Sequence, residues 1–384
     1  MKIALVSTWK YYKEPTDAIV SGVVVYTRGL AKALVDRGHQ VTVLASPPDW
    51  DYEPESYVFE GSNVVILPWQ GSQMRFAEAV AFWLANNPHD VVEAHNWNHS
   101  LLLEQLVGGT PTVVRFASDL LSVAETGLVD VKEYTRQELW VQYRWEVASL
   151  RGADVVLAGG KKMMARAAQM EIQALEVPLG ISFVESSEKV NRKRKGILIS
   201  VSRFEDPRKG GEFVLDILQQ IPIDIPVTVL GTLDRDKRKE LVASARAMRK
   251  PAKKAGKVTW LFDTVTEQEL NDLYRKSLLT VVPTKSESFG LVLLEPMAFG
   301  CPVACFDQPD ESKISWPLVR LGPPMKESFR NLPKAIASVR AKGQEEDMLK
   351  CARRYLWSSI VSQYEEAYQM AIARSLLLGK QRGW

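Results

Sequence analysis

The chain has 384 residues, of which 46% are hydrophobic and 25% charged, and its formal net charge is +3. That length is too great for one ordinary core and suits two domains of roughly 150–200 residues each. The composition is that of a soluble globular protein. So mild a positive charge does not by itself imply nucleic acid, and three cysteines (Cys301, Cys305, Cys351) without a C-x-x-C pair argue for a reducing, cytoplasmic setting rather than a disulfide framework.

Residues 3–6 read as a buried first strand, too short an apolar run for a signal peptide. A helix is predicted over 22–37, stopped by Gly38, and a strand over 41–45 follows. Further strands are predicted over 64–67, 90–93, 112–116 and 154–158. Short, continuously apolar runs of this kind suit a parallel sheet covered on both faces. The polar, basic stretch 185–196 reads as an interdomain linker. A second alternation follows, with strands over 197–201, 227–230, 258–262, 279–282 and 302–305 and helices over 211–219, 267–276 and 291–299. A long helix is predicted over 357–378. No stretch approaches the roughly 18 apolar residues that span a bilayer.

The sharpest signal is Ser286-Glu287-Ser288-Phe289-Gly290-Leu291-Val292-Leu293-Leu294-Glu295-Pro296, followed by Gly300 and Pro302. Physically it is a strand end, a polar turn through Gly290, and a helix opening near Leu291. Unpaired N–H groups at such a helix start form a ready phosphate site. The segment resembles the retaining family 4 glycosyltransferases with their E-x7-E signature. The resemblance implies that Glu295 holds the donor ribose, that the loop over Ser288, Phe289, Gly290, Leu291 and Val292 holds the diphosphate, and that Glu287 lies near the transferred sugar. Thr264 joins the donor contacts on the same ground. Ser202-Arg203 with Arg208-Lys209-Gly210 resembles the family's segment at the end of the second domain's first strand, where two cations neutralise the departing diphosphate. Arg203 and Lys209 are the candidates, with Arg208 as an alternative to Lys209. Ser21-Gly22 resembles the family's glycine loop after the first strand, and Gly22 lacks a Cβ that would hinder close approach.

The resemblance implies an α/β chain of the GT-B fold, with two Rossmann-like domains facing across a cleft. The domains run 1–185 (acceptor), 186–356 (nucleotide sugar) and a helix over 357–384 that crosses back to the first domain. It further implies a retaining, metal-independent hexosyltransferase without a cofactor, using a UDP- or GDP-sugar as donor. The acceptor is a small molecule, a glycan or a lipid-linked glycan. The expected setting is the cytoplasm, with a peripheral place at an inner membrane face as the alternative.

The chain departs from the family pattern after residue 116, where Ala117 stands in the place of a histidine and Ser118 and Asp119 become candidate sugar contacts. His95, Trp97 and His99, expected just after a strand ending at Glu93, are candidate acceptor or sugar contacts. Asp234-Arg235-Asp236 is formally a D-x-D motif but opens a stretch to Lys257 with ten Lys/Arg and three Asp/Glu, and reads as solvated. A non-catalytic nucleotide-sugar-binding subunit and a GT-B-fold epimerase or hydrolase are the rival readings. A dehydrogenase is disfavoured because no G-x-G-x-x-G follows the first strand.

Overall fold

The computed structural model describes residues 1–7, 22–46, 55–68, 73–96, 99–118, 120–121, 136–182, 194–249, 256–263, 265–307, 316–342 and 344–379. The chain forms two compact units, Met1–Ser182 with Tyr355–Trp384, and Phe183–Arg354. Most of the expected linker, residues 185–193, lies outside the described residues.

The first unit runs β1 (Lys2–Ser7), α1 (Gly22–Asp36), β2 (Gln40–Ala45), β3 (Ser56–Phe59), β4 (Ser62–Ile66), α2 (Gln73–Asn86), β5 (Val91–His95), α3 (Leu102–Val107), β6 (Thr112–Phe116), α4 (Arg136–Gly152), β7 (Val155–Ala158), α5 (Lys161–Gln169) and β8 (Leu175–Glu176). The strands form one sheet in the order β3-β4-β2-β1-β5-β6-β7-β8. Every pairing is parallel except β3 with β4. That edge hairpin turns on Glu60 and Gly61, with φ of 48° and 82°. Two successive positive-φ residues match the right-handed twist of the flanking strands. The central strands β5, β6 and β7 are buried along their whole length, as strands with both faces covered must be.

The second unit runs β9 (Ile197–Arg203), a 3₁₀ turn (Gly211–Phe213) leading into α6 (Val214–Gln220), β10 (Val227–Thr232), α7 (Arg235–Arg249), β11 (Val258–Leu261), α8 (Glu267–Lys276), β12 (Leu279–Val282), α9 (Leu291–Ala298), β13 (Val303–Cys305), β14 (Val319–Arg320), α10 (Leu332–Lys342) and α11 (Glu345–Arg353). Its six strands are all parallel, in the order β11-β10-β9-β12-β13-β14. The chain winds outward from β9 in one direction, then returns to place β12 on its other side. The loops leaving β9 and β12 therefore flank a topological switch point, where open α/β sheets bind ligands beyond the carboxyl ends of their strands.

The last helix, α12 (Trp357–Leu377), belongs to the first unit. Its Tyr368 hydroxyl donates to Glu93 Oε2 at 2.7 Å, and its Tyr364 hydroxyl donates to the Pro178 carbonyl at 2.8 Å. Glu93 also accepts from the Tyr26 hydroxyl. The fully buried Arg115 donates to Tyr26 Oη at 3.2 Å and to the Val177 carbonyl at 2.6 Å, beneath the rings of Tyr26 and Tyr364. Burial pushes the Glu93 carboxyl up, and Arg115 with the two tyrosine hydroxyls opposes that. A charge buried this deeply persists only with charged and hydrogen-bonding partners, and here, among the described residues, Arg115 Nη2 alone is left without one.

Trp357 anchors the start of α12 in a slot lined by two glycines. A Cβ on Gly29 would stand 2.1 Å from Trp357 Nε1, and one on Gly180 would stand 2.2 Å from the indole. Alanine in place of a helical glycine ordinarily gains about 1 kcal/mol. Here overpacking against a buried indole, at about 1–3 kcal/mol, outweighs that gain. Gly29→Ala is therefore expected to lower stability in urea denaturation. A stabilised variant would contradict the packing of α12.

Candidate active site

The loops at the carboxyl ends of β9 and β12 are joined backbone to backbone. Lys285 N donates to the Arg208 carbonyl at 2.7 Å, and Thr284 Oγ1 reaches the same carbonyl at 3.2 Å. Gly210 has φ of 69°, and a Cβ there would stand 2.1 Å from the Pro283 carbonyl oxygen. Only glycine meets both demands, the left-handed backbone and the close approach.

This junction sets two side chains together. Lys209 Nζ lies 2.6 Å from Glu287 Oε1, and Thr284 Oγ1 donates to the same oxygen at 2.8 Å. The two side chains are only 18% and 13% exposed, so the pair is shielded from solvent rather than lying on an open surface. Arg208 is held elsewhere. Its Nε and Nη2 grip both oxygens of the buried Asp206, at 3.0 and 2.8 Å. Burial would raise the Asp206 carboxyl, but the hydrogen bonds from Arg208 more than reverse it and hold it below the usual range. Of the two cations considered for this position, Lys209 is the one that reaches Glu287. Arg203, at the end of β9, is 65% exposed and 3.8 Å from Asp206. The strand end is distorted here: the β9–β10 register shifts at Leu230/Gly231, and Ser202 takes φ of 58°. Left-handed backbone at a non-glycine residue stores strain.

Helix α9 opens at Gly290, whose φ is 95°, with no side-chain cap. The N–H groups of Leu291 and Val292, in the first turn of this helix, have no intrahelical acceptor. Phe289 is buried edge-on against Trp316, with ring centroids 5.9 Å apart. Ser288 is half-buried. Glu295 lies one turn into the helix and is half-buried. Burial pushes its carboxyl up to about 7; a hydrogen bond from Tyr274, at 3.3 Å, opposes this, while Glu267 and Glu287 add to it. Thr264 lies outside the described residues.

In the first unit the expectation for His95 needs correcting. It is the last residue of β5, not a loop residue beyond it. It is buried edge-on against Tyr26 at 4.9 Å. Burial and Arg115 hold its pKa down to about 3, so it is neutral. The strand outlasts the prediction because Ala94 and His95 continue the parallel ladder with Val114 and Arg115. His99, with φ of 50°, is also buried, which pulls its pKa down to about 4, and its Nδ1 has no hydrogen-bond partner. Trp97 and Asp119 lie outside the described residues. Ala117 N donates to Asn96 Oδ1 at 3.0 Å, and the Ser118 carbonyl accepts from Asn96 Nδ2 at 2.5 Å. Sequence reasoning passed over Asn96, which pins the end of β6. Gly22 opens α1, and a Cβ there would meet nothing within 4 Å. Asp234 and Asp236 are exposed at the start of α7, where Asp234 Oδ1 accepts from Asp236 N at 3.0 Å.

Residues 21–180 match the family described as Glycosyl transferase 4-like domain, and residues 183–314 match Glycosyl transferases group 1. Among curated proteins the chain is similar to a phosphatidyl-myo-inositol mannosyltransferase of Mycobacterium tuberculosis, 26% identical over 385 residues, covering 91% of this chain and 93% of that one. It is also similar to an uncharacterized glycosyltransferase of Methanocaldococcus jannaschii, 24% identical over 79% of this chain and 80% of that one. Among solved structures, the sucrose-phosphate synthase of Thermosynechococcus elongatus superposes with a TM-score of 0.74 at 19% identity, over 97% of this chain and 99% of that one. Anabaena HepE, in complex with UDP and glucose, superposes with a TM-score of 0.69 at 15% identity, over 96% and 99%. These structures share the two-domain GT-B fold.

The junction at Gly210 yields a direct test. Gly210→Ala is expected to lower the melting temperature, at a cost of about 1–3 kcal/mol from strained backbone and displaced loop. An unchanged melting temperature would mean the two loops are not in contact.

Proposed function

Starting from the premise that this chain is a family 4 glycosyltransferase of the GT-B fold, which moves a sugar from a nucleotide-sugar donor, we propose how its second unit binds that donor and drives the transfer. The carrying observation is the convergence of three features at one switch point: the uncapped start of α9, the shielded Lys209–Glu287 pair and Glu295 one turn on.

The donor diphosphate rests on the N–H groups of Leu291 and Val292, where the helix end favours negative charge. Lys209 supplies the countercharge from the opposing loop, and Arg203 adds a second cation from the end of β9. Glu287 holds Lys209 before the donor arrives, so less side-chain freedom is lost on binding. The same carboxylate lies beside the sugar to be transferred. Glu295 accepts from the ribose hydroxyls. Among the candidate acceptor-side residues, Ser118 stands at the end of β6 and His99 beyond β5.

The transfer retains anomeric configuration. The acceptor oxygen bonds to the anomeric carbon on the face that the diphosphate leaves, the carbon–phosphate-oxygen bond breaks, and the leaving oxygen takes the acceptor proton. Charge develops on the diphosphate, where Lys209, Arg203 and the helix start stabilise it more in the transition state than in the ground state. These groups do the work in a reaction that needs neither a cofactor nor a metal ion. The donor is a UDP- or GDP-sugar. The relative named as a phosphatidyl-myo-inositol mannosyltransferase favours an acceptor hydroxyl on an inositol-type lipid headgroup and a peripheral place at a membrane face. No described helix is long and apolar enough to cross a membrane.

A thermal-shift panel of UDP, GDP, ADP and dTDP tests the donor site. One nucleotide is expected to stabilise the protein, and Glu295→Ala to abolish that shift. With the matching sugar nucleotide, Lys209→Ala is expected to lower kcat by about 10²-fold or more, as loss of other charge-stabilising groups does. Unchanged binding and turnover in both variants would overturn the assignment. Proton NMR of the first product formed should show the donor's own anomeric configuration, and an inverted product would refute retention.

A further inference from the structure

Glu295 presents a chemical problem that the donor reading leaves open. Among the described residues no cation acts on this carboxyl, and two other carboxylates, Glu267 and Glu287, raise its pKa. Lys209, the nearby loop cation, is paired with Glu287. Such a carboxyl drifts toward its neutral form, which presents a hydroxyl and a poorer acceptor. A carboxylate meant to accept from two ribose hydroxyls needs something to hold it ionised and in place.

Tyr274 is built for that task. It sits on α8, whose start is fixed by a capping box between Thr266 and Glu269. Its ring is 1% exposed and stacks on Phe299, centroids 5.9 Å apart and 28° from parallel. Its own carbonyl accepts from Arg194 Nη1 at 3.1 Å. The stack on Phe299 and the held backbone therefore aim the hydroxyl, which donates to Glu295 Oε2 and leaves Oε1 for a ligand. Burial and the neighbouring carboxylate hold the phenol well above its ordinary pKa, so it remains a donor across the working pH range.

The surroundings are otherwise sparse. From α8 come Tyr274 and Glu267, and from the β12–α9 loop comes Glu287 with its partner Lys209. Just before β13, the buried Cys301 lies near the Tyr274 phenol, and Arg275 of α8 lies over the Phe299 ring, 4.9 Å from its centroid. On α11, Glu345 faces Arg194 and Cys351 is buried, while Glu346, Asp347, Lys350 and Arg353 are exposed.

We propose that Tyr274 is a positioning residue of the donor site: its hydroxyl holds Glu295 as an oriented carboxylate that receives the ribose hydroxyls of a nucleoside diphosphate. The inference rests on the donor reading above and assigns a role to a residue outside the recognised motif.

The test is a pH series of dissociation constants for UDP and GDP, by calorimetry, with wild type, Tyr274→Phe and Glu295→Gln. Phenylalanine keeps the stack on Phe299 and removes only the hydroxyl. Wild-type affinity should fall as the pH drops through about 7. In Tyr274→Phe the fall should begin about one pH unit higher, because a hydrogen bond to an ionised group is lost. At about pH 6 that amounts to roughly tenfold weaker binding, with wild-type affinity regained at high pH. Glu295→Gln should bind weakly at every pH. A Tyr274→Phe profile that superimposes on wild type, or one lowered equally at all pH values, would overturn the inference. Binding that survives Glu295→Gln, or no binding of either nucleotide to wild type, would instead overturn the donor reading. In that case infrared titration of the Glu295 carboxyl, identified by its loss in Glu295→Gln, decides on Tyr274 alone. An upward-shifted midpoint in Tyr274→Phe supports the inference, and an unmoved one refutes it.

Discussion

The site depends on one close contact, between the backbone of Gly210 and the carbonyl of Pro283. A parallel sheet that winds outward both ways from β9 leaves the loops after β9 and β12 free to diverge. In this chain they are drawn together instead, by a left-handed glycine, by the hydrogen bond of Lys285 N to the Arg208 carbonyl, and by the Lys209–Glu287 pair. A basic loop is thereby fixed opposite the start of α9. Neither element alone makes a strong anion site. Joined, they tie Lys209 to the loop that leads into the uncapped start of α9.

The electrostatics follow from this arrangement. Three charged groups of the loop region have settled partners: Arg208 on Asp206, Lys209 on Glu287, and Lys285 on Glu212. Among the described residues no cation acts on Glu295, and its ionisation rests on one phenol. The first unit handles buried charge differently. Around Arg115 and Glu93 the tyrosines of α1 and α12 form a buried cluster in which Tyr26 and Tyr368 satisfy the carboxylate. One network holds a terminal helix in place; the other leaves acceptors uncovered.

Much of this was legible in the sequence. Continuous apolar runs flagged the central strands, and 279–282, 112–116 and the helix over 267–276 have the predicted bounds. The E-x7-E segment placed Glu287 in a turn and Glu295 in a helix because glycine and the following apolar run mark the helix start. What escaped was chiefly long-range. The hairpin strand β3 is four residues long and turns on Glu60-Gly61, which lacks the familiar Asn-Gly signature. His95 was expected beyond its strand, but pairing with β6, invisible in local sequence, carries the strand to it. Whether Arg208 or Lys209 would reach Glu287 could not be read from spacing, because Asp206 decides it through a bidentate grip. Tyr274 carries no motif at all; its proximity to Glu295 is a product of helix packing. The residues that bound the site by sequence alone were those set by chain-local turns, and the residues that tune it were set by tertiary contact.

The central claim is that unit two holds a nucleotide diphosphate at the start of α9. Its most direct test is a crystal structure of the protein grown with the nucleoside diphosphate that it binds. The account predicts the diphosphate on the Leu291 and Val292 amides within reach of Lys209, with both ribose hydroxyls on Glu295. A nucleotide bound elsewhere on the chain, with Lys209 still closed on Glu287 and Glu295 untouched, would contradict it.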